Sequence, residues 1–144
     1  MALGTLLVGA LIGATVYGKK ETTYNNVYII EQDPYKAKVQ FFDVYRKIDE
    51  AMAHTVNRSY GGITMYINGY KRMLKDVDDA CEYRVRREFL GRVIALRHYR
   101  NALAHSDMDW ADIPNPRQSL YGVLRELCDV VNTNQRSIRQ ICLY

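Results

Sequence analysis

The chain has 144 residues, 48% of them hydrophobic and 25% charged, with a formal net charge of +4. That is the composition of one ordinary globular domain, and it excludes a disordered tail, a collagen-like repeat and a low-complexity chain. The three cysteines, Cys81, Cys128 and Cys142, form no CxxC pair and have no histidine at ligand spacing, which argues against a disulfide framework or a structural zinc and for a reducing compartment. No metal-ligand cluster is visible, so neither metal nor cofactor is expected.

Residues 2–18, ALGTLLVGALIGATVYG, carry no charge, and Lys19 and Lys20 end the run. As a helix the run would reach about 25 Å, at the lower limit for crossing a ~30 Å hydrocarbon core. No Lys or Arg precedes it and no small-x-small site follows, so a cleaved signal peptide fits poorly. Positive residues on its C-terminal side would leave the remaining chain in the cytoplasm, tethered to the inner face of the cell membrane. Gly9 and Gly13 form a GxxxG that lets membrane helices approach closely. The segment reads as a candidate membrane anchor. The competing reading is a soluble element packed on the domain, which its four glycines would weaken. Residues 19–32 read as a linker, within which Val27-Tyr28-Ile29-Ile30 has the character of a short strand without a partner.

Residues 33–144 read as four amphipathic helices. Asp33-Pro34 supplies an N-cap followed by proline at the first helical position, and Ala37, Phe41, Tyr45, Ile48 and Met52 then fall on one face. Asn57 to Gly62 breaks the pattern. A second stripe runs Ile63, Ile67, Tyr70, Leu74, Val77, Cys81, and a third Val85, Phe89, Val93, Leu96, Leu103. The break between these two helices is placed near Asp78–Tyr83. Ser106 to Pro116 is a loop. The fourth stripe, Leu120, Leu124, Leu127, Val131, Asn134, Ile138, Ile141, resembles a heptad seam with Asn134 as its one polar member. Four such helices predict an all-α bundle, one that a dimer would make safer.

Charge is concentrated on the third helix. Residues 84–100 hold six arginines against Glu88, a local charge of +5 that leaves −1 for the rest of the chain. Such a stretch suits an anionic partner, RNA among them. At about 100° per residue from Val85, Arg100 falls at about 60°, inside the apolar stripe, with Arg92 and Arg97 at its edges. A charge on a buried face is unfavourable unless it is paired, snorkels out, or lines a cleft. Five residues further lies His105. If the helix ends near Ala104, His105 can swing back toward Arg100. Histidine can then act as general acid or base, arginine can hold a phosphate, and Asn101 can orient either. His54 and His98 have weaker claims, His98 lying opposite the apolar stripe.

At these residues, Arg97-His98-Tyr99-Arg100-Asn101-Ala102-Leu103-Ala104-His105, the chain resembles the Arg-x(4–6)-His motif of the HEPN superfamily, in the version with Asn after the Arg. The resemblance implies a bundle of four to five helices with the motif at the end of a long helix. It also implies a metal-independent endoribonuclease of defence or toxin–antitoxin systems, cleaving RNA through its 2′-hydroxyl. Such an enzyme is a homodimer with Arg and His of both protomers lining one cleft. On this reading Arg100 and His105 are catalytic, Asn101 supports them, Arg92 and Arg97 contact RNA, and an antitoxin or regulatory protein is a further partner. Family members that keep the bundle without cleaving imply the alternative, a scaffold or sensor that binds RNA or a protein.

Overall fold

The computed structural model describes residues 33–113 and 117–144, with side chains at 117–119 left aside; the apolar segment 2–18 and the linker 19–32 lie outside the described residues. The described chain is all-α. It comprises α1 (Pro34–His54), α2 (Gly62–Leu74), α3 (Ala80–Ala104), a 3-10 helix (Trp110–Asp112), α4 (Arg117–Thr133) and α5 (Gln135–Cys142). None of these helices is long and apolar enough to cross a membrane.

The α1 stripe is buried in full, from Ala37 through Met52. Its start follows from Asp33, whose Oδ1 accepts the amides of Tyr35 and Lys36 at 2.9 and 3.1 Å, with Pro34 just inside the helix. α1 stops when Asn57 takes a left-handed conformation (φ 59°) and the Arg58 amide reaches back to the Ala53 carbonyl. Asparagine tolerates that conformation, so the stop is local.

Three features depart from the expected stripes. α2 ends at Leu74, so Val77 is only half-buried and Cys81 is exposed. The break falls at 75–79 because Asp79 accepts the Glu82 amide at 2.8 Å and so caps the start of α3. Val85 is 62% exposed and does not belong to the core, Leu90 being buried instead. The first turns of α3 extend beyond the helices it packs on. The fourth stripe is divided between two helices. Asn134 is exposed and accepts the Ser137 amide at 3.1 Å as the N-cap of α5. An asparagine that bonds its own following backbone ends one helix and starts another, so no continuous seam forms. The apolar members of that stripe are nevertheless all buried.

α1 and α3 each pack against both α2 and α4, which sets α1 and α3 diagonally across the bundle, and α5 lies against α2 and α4. The α5 approach depends on Gly69, where a Cβ would collide with the Ile141 carbonyl. The core is continuous and runs from Phe41, Tyr121 and Trp110 at one end to Tyr66, Tyr70 and Ile141 at the other.

Burial raises several protons of this core. The Tyr45 and Tyr66 hydroxyls are pushed well above the ordinary tyrosine range, chiefly by desolvation, and Tyr45 further by the nearby Asp49 carboxylate against the opposing pull of Arg100 and Arg97. The Cys142 thiol is pushed up to about 11 and Cys128 is raised well above its ordinary value, again mainly by burial. All four keep their protons to a higher pH in the folded chain than in the unfolded chain. Their contribution is therefore complete below the unfolded thiol range near pH 8.5 and is lost as pH rises, the tyrosines adding from about pH 10. Thermal unfolding followed by circular dichroism should show a midpoint that falls steadily from about pH 8.5 upward. Tyr66→Phe should make the fall shallower, and an unchanged slope would show that its hydroxyl ionises alike in both states.

Candidate active site

The C-terminal half of α3 crosses above the junction of α1 and α2 and encloses a cleft of about 490 Å³. α1 supplies Tyr45, Arg46, Asp49 and Glu50, the following turn Tyr60 and Gly61, α2 Thr64, and α3 Arg97, Arg100 and Asn101. The cleft floor is built by a borrowed cap. Gly61, at the N-cap of α2, is left-handed (φ 81°) and has no side chain with which to satisfy the helix start. Asp49 of α1 does so instead, accepting the amides of Gly61 and Ile63 at 2.9 and 2.8 Å. Gly62 allows this closeness, since a Cβ there would meet the α1 backbone at Asp49 and Ala53. The Asp49 carboxylate is thus committed to the turn, and Glu50 is committed to Arg46 at 3.2 Å.

Arg100 is half-buried, as its place on the apolar face requires. Its guanidinium lies 5.3 Å from the centre of the Tyr45 ring, and its Nη1 donates to Asn101 Oδ1 at 3.0 Å. No carboxylate of the described residues pairs with it, in contrast to Arg46, Arg86 and Arg92. Arg97 is held by Thr64 Oγ1 at 3.3 Å. Two guanidiniums fixed by an aromatic face, an amide and a hydroxyl, with the nearby acids already engaged, make this cleft receptive to an anion such as a phosphate diester.

His105 stands apart from it. α3 ends at Ala104, as the sequence suggests, in a closed stop: Ser106 is left-handed (φ 61°) and the Asp107 amide reaches the Ala102 carbonyl at 2.9 Å. The His105 amide still bonds the Asn101 carbonyl at 3.0 Å, so its backbone continues the helical turn. Its side chain is exposed and does not line the cleft. Arg92 is also elsewhere, stacked 5.5 Å from the Phe89 ring and bridged to Glu126 of α4 at 3.1 Å. His54 and His98 are exposed, His98 with its ring edge-on to Tyr99. Within one chain, Arg97, Arg100 and Asn101 line the cleft, and His105 and Arg92 do not line it.

Tyr45, Asp49 and Tyr60 are cleft residues that sequence reasoning did not single out. Only Asp49 left a trace there, in the Gly61-Gly62 start of α2, a helix without a capping side chain of its own. No three His, Cys, Asp or Glu side chains gather at metal-binding distance among the described residues. Compared with models of known protein families, with characterised proteins and with solved structures, the chain matches none.

Proposed function

We propose that the chain is a metal-independent endoribonuclease of the HEPN type, acting as a homodimer in a defence or toxin–antitoxin setting. One observation carries the reading: Arg100 is half-buried in a cleft, fixed by Tyr45 and Asn101, and has no carboxylate partner among the described residues. A desolvated guanidinium without a carboxylate is an unfavourable arrangement for a fold and a useful one for a site that receives a phosphate. In this reading Arg100 and Arg97 hold the scissile phosphate of single-stranded RNA. His105 of the facing protomer takes the 2′-hydroxyl proton or delivers one to the 5′-oxygen that leaves. The products are a 2′,3′-cyclic phosphate and a 5′-hydroxyl.

Incubation of the full chain with total RNA in EDTA, followed by mapping of the ends, tests this. Discrete fragments with cyclic-phosphate ends are expected. Arg100→Ala should remove cleavage and weaken RNA binding, and Arg100→Lys should restore it only partly, because lysine lacks the planar fork. Cleavage that stops in EDTA, or that leaves 5′-phosphate ends, would reject the mechanism. The exposed position of His105, outside the cleft of its own chain, favours a second reading: a HEPN-like module that binds RNA or a protein without cutting. Arg100-dependent RNA binding with no fragments would select it.

A further inference from the structure

Gly91 lies in the interior of α3, where glycine is the least favourable residue after proline. No contact among the described residues explains it, because a Cβ built there meets nothing within 4 Å, whereas at Gly69 the Ile141 carbonyl occupies that space. Gly91 opens onto a groove of about 430 Å³ between the end of α2 and the first half of α3. Leu74 and Leu90 form its apolar base, and Tyr83 and Ile94, 40% and 38% exposed, extend it along α3 at helical spacing. The rim is formed by Lys71, Lys75 and Arg87. None of these three has a carboxylate partner among the described residues, although neighbouring arginines such as Arg86 do. The groove shares no residue with the Arg100 cleft.

We infer that this groove docks an acidic amphipathic helix of another protein. A trough between two helices with an open glycine at its centre accepts the ridge of a third helix, and leucine-type side chains of that helix would cover Leu90 and Ile94. Three unpaired cations at the rim call for carboxylates flanking those side chains. A second copy of the chain is a poor occupant, since a two-fold contact would set the same cations against one another. A nucleic acid would satisfy the rim and leave the apolar base uncovered, and a bilayer surface is flat where this site is concave.

The test is a titration of the full chain into a fluorescein-labelled synthetic helix of roughly 18 residues, with leucines spaced three and four apart and glutamates beside them. Saturable binding is expected. The triple variant Lys71→Glu, Lys75→Glu, Arg87→Glu should weaken it by roughly tenfold or more. Gly91→Leu should abolish it. That substitution fills the groove, places its Cβ in open space among the described residues and introduces a better helix former, so the thermal midpoint should hold or rise, and a midpoint at or above wild type shows that the loss of binding is not unfolding. The inference is overturned by absence of binding, by equal binding of a peptide with the same leucines scattered, or by wild-type affinity in Gly91→Leu. It is overturned equally if Gly91→Leu instead removes self-association, binding to anionic phospholipid vesicles, or binding to single-stranded RNA, each of which would give the groove a different occupant.

Discussion

His105→Ala is expected to lower RNA cleavage by about 10²–10⁴-fold, the usual contribution of a general acid or base, while leaving fold and RNA binding unchanged. The structure makes this a clean substitution. His105 is exposed, its side chain has no partner among the described residues, and the α3 stop is made by backbone groups of Ala102, Leu103, Ser106 and Asp107. Removing the imidazole therefore removes no packing. The proposed two-protomer site also implies how the lost activity can be recovered. Arg100 lines the cleft of its own chain and His105 does not, so the proposed site takes Arg100 from one protomer and His105 from its partner. Neither Arg100→Ala nor His105→Ala alone should cleave. In a mixed dimer of the two, one site lacks both groups and the other is intact. Co-refolding equal amounts should return roughly a quarter of wild-type activity, half of the dimers being mixed and each carrying one working site of two. A site assembled within a single chain would return none. Wild-type activity in His105→Ala would move the chemistry elsewhere.

What sequence could show of this site was the part written in local periodicity. Arg100 interrupts the apolar face of its own helix, and that interruption survives folding as a half-buried cation. Asp33-Pro34 and the α1 stripe were legible for the same reason, since cap, proline and stripe act within one helix. The errors arise where a nearby residue has two uses. Asn134 fits a heptad seam and equally fits an N-cap, and the cap prevails because its side chain satisfies the Ser137 amide where a seam position would bury an unpaired amide. Val85 and Cys81 have helical spacing, but the neighbouring helices do not reach them, and spacing cannot report where a neighbour ends. Tyr45 beneath Arg100 and Asp49 across the α2 start are contacts between separate helices, and no periodicity encodes them.

Phe41→Ala should cost about 3–5 kcal/mol of stability, a loss at the upper end for a single core substitution. Phe41 is fully buried, and its ring centre lies 5.5 Å from that of Trp110 and 6.3 Å from those of Tyr121 and Tyr45. Alanine would lose the transfer term of the ring, leave a void and remove tilted and edge-on contacts each adding about 0.5–1.5 kcal/mol. Tyr121 cannot readily move in to fill the space, because its buried hydroxyl donates to Gln40 Oε1 at 2.9 Å. Against a total of about 5–15 kcal/mol for a domain, the variant would stand near the limit of folding. The consequence extends to the site. Trp110 and Ile113 anchor the segment that follows His105, and Phe41 is the surface on which Trp110 rests. Urea unfolding followed by circular dichroism should give a much lower midpoint for Phe41→Ala, and a smaller loss for Phe41→Leu, which keeps part of the volume. Tyr35→Ala, 74% exposed on the first turn of the same helix, should stay within about 0.5 kcal/mol of wild type. A loss for Phe41→Ala as small as that of Tyr35→Ala would show that Phe41 does not carry this end of the core. The Trp110 anchor for the chain behind His105 would then have to be sought elsewhere, for instance in Tyr121, whose ring lies 6.5 Å from that of Trp110.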